Sequence, residues 1–515
     1  MSYISVYYSI KYINSFYGFI NVAQTKKIIG DGLYITVGSI VAFLFSYIFR
    51  VILARSLSIE EYGLFYSVLT FLSFFLFFIY LGLDRASIYY IVKYKTAERF
   101  GQVKSVILST ILFQLISVSV FILLVFLFSD FLEVNYFQVE NAGFLLKLFS
   151  IFLFFNVFEA INVPILYGFQ KMKTFAFYQP IQSFSYLIFT FFFLSFSLGI
   201  YSPIFAYLLT HLLLVLIFLP FSQKVFPLWK HKVVDFKKTT FKLFSYGIPV
   251  IFISIGSRLI LQTDTMVLTK MTSVVEVGLY QAALPIATLF TFLNAGIVTV
   301  LFPLFTELWQ KKEIEMITIY LSHIYKYLYL LLLPLVTLAI VFSSELIVLI
   351  FGKEYLLANN ALIILLLSVV FNLLSAINFQ SISAFGKPTL VSKIIFGVAL
   401  FNIIFNIVLI PKWGISGAAL STSFSYLLLF VVSYIYIKKH VRIKLCFKNY
   451  ISPLLFCLLF LFLFLKLGVV GYLEIIISSL LFLTAYTIFV LLFKLVDWKE
   501  MKRLFLMLIK NKPLI

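Results

Sequence analysis

Long apolar runs separated by short polar segments dominate the chain. A helix that crosses a bilayer needs about 20 mostly apolar residues, and the runs lack the two-residue alternation of a membrane β-barrel. Fourteen runs meet this length, at residues 33–54, 62–92, 105–129, 143–169, 177–199, 202–222, 243–268, 277–305, 319–343, 360–385, 388–410, 414–437, 450–468 and 472–494. The pattern therefore predicts an all-α integral membrane protein with about 14 transmembrane helices.

The composition agrees with this prediction, because 63% of the 515 residues are hydrophobic and only 12% are charged. Lipid must solvate most of so apolar a surface. The formal net charge of +20 could indicate nucleic-acid binding, but the basic residues are distributed as in the cytoplasmic loops of a membrane protein. The only two cysteines, Cys446 and Cys457, cannot build a disulfide framework or a Cys-x-x-Cys metal site.

The distribution of lysine and arginine sets the predicted orientation. If the N-terminus is cytoplasmic, the inner segments hold 30 of the 40 basic residues and the outer loops hold five. This excess is the positive-inside signal. We therefore expect a multi-pass protein of the cytoplasmic membrane with both termini in the cytoplasm.

Two parts of the sequence repeat at a spacing of about 215 residues. Segment 53–65 recurs at 268–280 with a basic residue, a glutamate and a glycine in register, and segment 155–162 recurs at 371–378 with two asparagines in register. Six helices separate the copies, so both enter the membrane from the same side. Such parallel repeats are typical of transporters, and we predict two six-helix repeats followed by two C-terminal helices.

The repeat divides the chain into predicted regions. They are an N-terminal cytoplasmic or interfacial segment (1–30), an N-lobe of helices 1–6 (31–222), a basic cytoplasmic linker (223–242), a C-lobe of helices 7–12 (243–437), helices 13–14 (438–495) and a basic amphipathic C-terminal tail (496–515).

The sequence offers little enzymatic chemistry. No phosphate-binding loop of the G-x-x-x-x-G-K-[ST] type is present. The four histidines are scattered and form no metal-ligand pair at helical spacing. No close carboxylate pair stands at an outer helix end. We therefore expect a protein that is not an enzyme and that has no catalytic residues, metal site or cofactor.

Charged residues inside the predicted spans are the candidates for function, because ionisable groups in hydrocarbon are costly and usually face a cavity or a partner. The candidates for the substrate cavity or a gate are Arg50, Asp84, Arg85, Lys147, Glu159, Arg258, Asp264 and Lys326.

Arg50 and Asp264 lie near the outer ends of helices 1 and 7, and their separation along the chain is one residue less than the repeat spacing. They could pair across the lobes and close the outer mouth, or each could reach the headgroups or pair within its own lobe. Arg258 could bind the phosphate of a lipid-diphosphate headgroup through its planar fork. Alternatively, Arg258 forms a structural pair with Glu159 or another carboxylate.

Asp84, Arg85 and Glu159 also allow more than one interpretation. Asp84 and Arg85 could form an inner gate or the cavity rim, or could face two separate partners. Glu159 lies in a polar stripe with Asn156 and Asn162. Hydrogen bonding between helices accounts for the asparagines, whereas Glu159 has no acidic counterpart in the second copy and could take a coupling proton or pair with a cation.

Several passages carry a family resemblance. They are Leu53-Ala54-Arg55-Ser56-Leu57 with Glu61-Tyr62-Gly63, Tyr246-Gly247-Ile248-Pro249 with Asp264, and Pro411-Lys412-Trp413-Gly414-Ile415-Ser416-Gly417 after Asn402 and Asn406. Together they resemble the polysaccharide (oligosaccharide-lipid) flippases of the multidrug/oligosaccharidyl-lipid/polysaccharide exporter superfamily. The resemblance implies two six-helix bundles with alternating access, and a polyprenyl- or dolichyl-diphosphate oligosaccharide that moves from the inner to the outer leaflet.

The sequence thus predicts a flippase for surface polysaccharide or glycoprotein assembly. Its expected partners are the lipid-linked oligosaccharide, membrane lipids and possible glycan-assembly enzymes, with no nucleic acid. Two alternatives stay open. One is a cation-coupled small-molecule or drug antiporter of the same superfamily. The other is a membrane glycan polymerase or glycosyltransferase, against which the short outer loops count.

Overall fold

The computed structural model describes residues 22–443, 448–467 and 471–496. Within these ranges the chain forms helices and no β-strand. The α-helices are α1 Val22–Ser56, α2 Ile59–Phe74, α3 Leu76–Tyr80, α4 Leu83–Thr96, α5 Phe100–Leu132, α6 Ala142–Ser150, α7 Phe152–Gly168, α8 Met172–Ala176, α9 Tyr178–Leu194, α10 Tyr201–Val225, α11 Phe236–Met271, α12 Val274–Thr288, α13 Phe292–Gln310, α14 Ile314–Val341, α15 Ser343–Ile350, α16 Asn359–Ala384, α17 Pro388–Lys438, α18 Lys448–Leu467 and α19 Tyr472–Leu492. A π-helical turn covers Glu133–Phe137, and 3₁₀ turns cover Leu228–Lys230, Leu289–Thr291 and Lys353–Ala358.

Every predicted span coincides with helix, which confirms the all-helical membrane class. Ten helices in the described ranges are long and apolar enough to cross a membrane. Helix α17 counts once among these ten, although Gly414 interrupts it with a non-helical backbone (φ 51°, ψ −131°). The predicted C-terminal tail (496–515) lies outside the described residues apart from residue 496. The predicted N-terminal segment (1–30) lies outside them as far as residue 21.

Three predicted continuous helices are broken, and one of them, the run 143–169, is divided at Ile151 into α6 and α7. The run 62–92 forms α2, α3 and α4. The break between α3 and α4 lies at Leu81 and Gly82, which take positive φ values of 52° and 64°. A Cβ atom on Gly82 would lie 2.3 Å from the carbonyl oxygen of Gly247, so only glycine permits this backbone approach. The run 277–305 is likewise divided by the 3₁₀ turn at Leu289–Thr291.

The described residues group into two compact units that alternate along the chain. Unit 1 comprises the segment that ends at Arg50, Ile79–Ile122 and Phe149–Ile248, and unit 2 comprises Val51–Phe78, Leu123–Leu148 and the segment from Pro249 onward. In unit 1, α7, α9 and α10 pack around the buried Leu166, Tyr178 and Phe218. In unit 2, α18 and α19 pack on α14 around Leu330, Cys457 and Tyr486.

Equivalent residues of the sequence repeat make equivalent structures in unit 2. Ser58 caps the start of α2, and Ser273 caps the start of α12, each by accepting a hydrogen bond from the backbone N–H three residues later. The two helices cross at Gly63 and Gly278: a Cβ on Gly63 would lie 1.8 Å from the carbonyl oxygen of Val274. Glycine at both positions therefore permits close contact between the helix backbones.

The basic residues of the repeat make exchanged contacts within unit 2. Arg55, from the first copy, donates to the carbonyl oxygens of Leu349 and Ile350 at the end of α15, with an Nε–O distance of 2.9 Å to Ile350. Lys270, from the second copy, donates to the carbonyl of Asn135 in the π-helical turn. Asn135 and Ile350 are themselves 215 residues apart. Each copy thus contributes a cation that binds carbonyl groups of the other copy.

Candidate functional site

A buried carboxylate in unit 2 is surrounded by neutral hydrogen-bond donors. Asp264 on α11 is only 4% exposed. Its Oδ2 accepts hydrogen bonds from the hydroxyl of Tyr280, at 2.7 Å, and from that of Thr422, and its Oδ1 accepts one from Nδ2 of Asn406 at 2.7 Å. We call Asp264, Tyr280, Asn402, Asn406 and Thr422 the Asp264 cluster.

The break at Gly414 brings two parts of α17 to this carboxylate. Asn402 precedes the break and Ser421 and Ser425 follow it, and Nδ2 of Asn402 lies 3.3 Å and 3.1 Å from their hydroxyl oxygens. The turn is held by the Glu276 carboxylate, which accepts from the backbone N–H of Ile415 at 2.7 Å. Asn406, before the break, and Thr422, after it, therefore both donate to Asp264 from one interrupted helix.

The Asp264 cluster contains more acceptors than donors. Oδ1 of Asn406 is buried and has no hydrogen-bond partner among the described residues, which is uncommon for a buried amide. Carboxylate, amide and hydroxyl oxygens are the ligands that hard cations prefer. The cluster is therefore chemically suited to take up a proton or a small hard cation.

A second buried carboxylate lies in unit 1. Glu159 on α7 is 1% exposed, and its Oε1 lies 2.7 Å from Nδ1 of His211 on α10. Its Oε2 accepts a hydrogen bond from the hydroxyl of Tyr178 on α9. Nε2 of His211 is 2.9 Å from the hydroxyl of Tyr186, which also accepts from Nε2 of Gln182 at 3.2 Å. We call these five residues the Glu159 cluster.

The Glu159 cluster can hold a variable number of protons. If His211 is neutral, its Nδ1–H donates to Glu159 and its Nε2 accepts from the hydroxyl of Tyr186. If His211 is protonated, Nε2–H donates to the same hydroxyl, which can act as donor or acceptor. Nδ1 and Nε2 of His211 therefore each keep a hydrogen-bond partner whether the imidazole is neutral or protonated.

Arg258 lies on α11 and is half-buried. Its guanidinium donates to the carbonyl oxygen of Ser73 at 2.6 Å. Ser73 is in the last turn of α2, where carbonyl groups lack intrahelical donors and a cation is favourable. Arg258 thus stabilises the end of α2, and its proposed contact with a lipid phosphate stays a prediction. One turn further along α11, Oε1 of Gln262 is buried without a partner among the described residues.

Asp84 and Arg85 lie in the first turn of α4, directly after the backbone break at Gly82. Asp84 is half-buried and Arg85 is exposed. The two side chains therefore have different surroundings, in agreement with their angular separation on the helix. Their role at a gate or rim stays a prediction.

The other candidates are distributed over both units. Lys147 on α6 forms an ion pair with Asp130, at 3.0 Å, and the Asp130 side chain is 88% exposed. Lys326 lies half-buried on α14, with Nζ 5.3 Å from the centre of the Tyr327 ring. Arg50 lies half-buried on α1 in unit 1. Pairing of Arg50 with Asp264 stays a prediction.

Several members of these clusters could not be recognised in the sequence. His211 is one of four scattered histidines, and Tyr178, Tyr280 and Thr422 carry no signal in so aromatic and apolar a chain. Asn406 appeared only in a motif of the family resemblance. The one signal that could have indicated these residues is a polar side chain deep in an apolar run, since such a side chain needs a hydrogen-bond partner.

Comparisons with known proteins agree with the fold. The sequence model of a family described as "Polysaccharide biosynthesis protein" matches residues 28–309. An uncharacterized membrane protein of Methanocaldococcus jannaschii is 30% identical over 426 residues, which are 80% of this chain and 84% of the relative. The probable low-salt glycan biosynthesis flippase Agl15 of Haloferax volcanii is 27% identical over 212 residues, which are 40% of this chain and 45% of the relative.

Solved structures show the same architecture. The lipid II flippase MurJ in an inward closed conformation superposes with a TM-score of 0.73 at 20% identity, covering 90% of this chain and 98% of that one. An inward-facing multidrug resistance transporter of the MATE family gives a TM-score of 0.63 at 13% identity, covering 76% and 93%. At these identities the likeness establishes the fold. Because its family model matches more than half of the sequence, the chain belongs to the polysaccharide biosynthesis protein family.

Proposed function

We propose that the protein is a flippase that moves a lipid-linked oligosaccharide, carried on a polyprenyl or dolichyl diphosphate, from the inner to the outer leaflet. Membership of the polysaccharide biosynthesis family is the observation that carries this proposal. The name of the Haloferax volcanii relative, a glycan biosynthesis flippase, supports it. Enzymes that assemble or transfer the glycan would be the functional partners.

The proposal answers a definite physical problem. A polar glycan headgroup must cross about 30 Å of hydrocarbon, while its prenyl chain can stay in lipid. A polar path through the protein removes the cost of transferring the headgroup into hydrocarbon. Five of the eight charged residues that are candidates for the substrate cavity or a gate are basic, which favours a substrate with an anionic diphosphate over a cationic one.

The proposed topology has fourteen transmembrane helices, two parallel six-helix lobes, two C-terminal helices and cytoplasmic termini. The exchanged contacts of Arg55 and Lys270 support a pair of copies related by a two-fold axis, because equivalent donors bind equivalent acceptors. Green fluorescent protein fused to either terminus should fluoresce, and alkaline phosphatase at the same position should be inactive. The reverse result would overturn the orientation.

Alternating access requires the two copies to separate in turn at each membrane face. The exchanged contacts of Arg55 and Lys270 must break when the copies separate at the end where these residues lie. We therefore assign them the role of a latch, with the Glu159 and Asp264 clusters as sites where a proton or cation drives the change. Replacing both cations by glutamine should favour opening at this end. Replacing exposed Lys412 and Lys466 removes the same charge and serves as the control.

Complementation tests the function in cells. The protein should restore surface glycan in a strain that lacks its own lipid-linked oligosaccharide flippase and carries the matching assembly enzymes. The variant Asp264→Ala should fail, and Asp130→Ala, which removes an exposed carboxylate, should succeed. Failure of the wild-type protein at normal membrane abundance, with a range of glycan substrates, would contradict the proposal.

A cation-coupled small-molecule antiporter is the second candidate. The observation that favours it is the Asp264 cluster, with its unpaired amide oxygen, in a fold shared with a multidrug transporter. Efflux of a fluorescent organic cation from loaded cells separates the two. If the protein is an antiporter, it should export the organic cation in a way that depends on Asp264. If it is a flippase, it should not export the organic cation.

A further inference from the structure

A basic cavity lies in unit 2, and its lining residues do not include any member of the Asp264 cluster. It has a volume of about 720 Å³ and is formed by the start of α14, the segment after α17 and the start of α18. Four of its residues are basic or can become so, namely His323, Lys326, His440 and Arg442, and its one carboxylate belongs to Glu315. The cavity therefore carries a net positive charge.

Two of the cations of this cavity, Lys326 and Arg442, stand apart from the ion pairs formed among the described residues. Within the described part of the chain, no carboxylate forms an ion pair with Lys326 or Arg442. Lys326 is half-buried, and its contact is with the face of the Tyr327 ring. A half-buried ammonium in an apolar span is costly without an anion. An anionic ligand would remove this cost.

The shape of the cavity suits a ligand with a polar head and an apolar tail. From Ile314 to Lys326 the cavity extends along 12 residues of α14, about 18 Å at the rise of a helix. Ile314 and Ile319, on the same wall, are 41% and 46% exposed. The polar residues Asn449 and Tyr450, at the start of α18, also line the cavity. Apolar surface that would face lipid thus adjoins a cationic pocket.

The position of the cavity indicates a membrane interface. It lies at the basic ends of helices, where α17 ends at Lys438 and α18 begins at Lys448. Basic pockets between transmembrane helices on the cytoplasmic side bind anionic lipid headgroups. In the proposed orientation these ends are cytoplasmic.

We infer that this cavity binds the phosphate-bearing headgroup of a lipid in the inner leaflet. Arg442 contacts the phosphate from the aqueous side, and Lys326 contacts it from the end of the cavity that lies deeper in the membrane. Phosphate borne by a phospholipid and diphosphate borne by a prenyl glycolipid share this chemistry. A measurement of binding alone tests this site independently of transport.

Lipid binding to the full-length protein in nanodiscs or detergent tests the inference. The probes are phosphatidylglycerol, phosphatidylcholine, a polyprenyl diphosphate and inorganic phosphate, and the readouts are native mass spectrometry and the rise of the apparent Tm. The variant Lys326→Gln/Arg442→Gln should lower affinity for the anionic lipids at least about tenfold, since hydrogen bonds to charged groups are strong. The control Lys393→Gln/Lys439→Gln removes two exposed cations outside the cavity and should bind as wild type.

The outcomes separate the possible ligands. Tighter binding of phosphatidylglycerol identifies a phospholipid site, and tighter binding of the polyprenyl diphosphate identifies a substrate site. Binding of inorganic phosphate with the same affinity as the lipids would overturn the lipid assignment. Equal binding by the cavity variant and the control would overturn the site. If the double variant does not fold, Arg442→Gln alone, in an exposed position, provides the same comparison. A protein that binds lipid here but fails complementation would contradict the flippase function only.

Discussion

Asp264→Ala and Asp264→Asn should separate the structural and chemical roles of the buried carboxylate. Alanine removes both acceptor oxygens, so the hydroxyls of Tyr280 and Thr422 lose their shared partner. Asn406 keeps a partner in Oδ1 of Asn402, at 3.1 Å. An unpaired buried polar group costs about 1–3 kcal/mol, so two hydroxyls correspond to about 2–6 kcal/mol of destabilisation.

Asparagine at position 264 should behave differently. Its amide oxygen can accept from Asn406, and its amide nitrogen can donate to a hydroxyl that rotates to accept. The hydrogen bonds are thus preserved while the charge is lost. We expect Asp264→Asn to keep an apparent Tm close to that of the wild type and to abolish transport driven by a proton or cation gradient.

The assay is the apparent Tm of the purified protein in detergent, followed by transport in proteoliposomes for each folded variant. Asp130→Ala is the matched control, because its carboxylate is exposed and a solvent-screened ion pair such as that with Lys147 contributes little to stability. An Asp264→Ala protein as stable as Asp264→Asn would refute the hydrogen-bond reasoning. Full transport by Asp264→Asn would refute the role of the charge.

Three further predictions follow from the packing and the second cluster. Gly63→Ala should destabilise the protein by about 1–3 kcal/mol through overpacking, whereas Gly397→Ala, which meets nothing within 4 Å, should not; equal Tm shifts would contradict this. Glu159→Gln keeps an oxygen that can accept from the Tyr178 hydroxyl but removes the carboxylate beside His211, so transport driven by a proton gradient should fall about tenfold at an unchanged apparent Tm, and full transport would argue against proton uptake by the Glu159 cluster. Arg258→Lys keeps a donor for the helix end but loses the planar fork, so transport should fall about tenfold at an unchanged Tm, and full transport would exclude the phosphate contact.

The helices could be predicted from the sequence, because the length of an apolar run alone decides whether it spans a bilayer. The runs 388–410 and 414–437 also place a boundary beside Gly414. The break at Gly82, inside the run 62–92, could not be predicted, since a glycine permits a positive φ but does not require it. Gly397, in the middle of α17, keeps its helical conformation. The surrounding backbone contacts decide between these outcomes.

The candidate sites were predictable only in part. Asp264 and Glu159 stand out because carboxylates are rare in apolar runs. Their partners come from distant positions, 142 residues away for Asn406 and 52 for His211, and only the fold brings them together. The repeat offers a stronger signal, because its spacing relates Arg55 to Lys270 and Asn135 to Ile350 before any contact is known.

Flipping in proteoliposomes tests the proposed function most directly. Purified protein would be reconstituted with a labelled polyprenyl-diphosphate oligosaccharide, and a membrane-impermeant glycosidase would report the fraction of glycan in the outer leaflet over time. We predict that the wild-type protein makes the glycan of both leaflets accessible and that Asp264→Asn leaves the inner-leaflet glycan protected. Protection of half the glycan in vesicles with folded wild-type protein, at any imposed proton or sodium gradient, would contradict the flippase function.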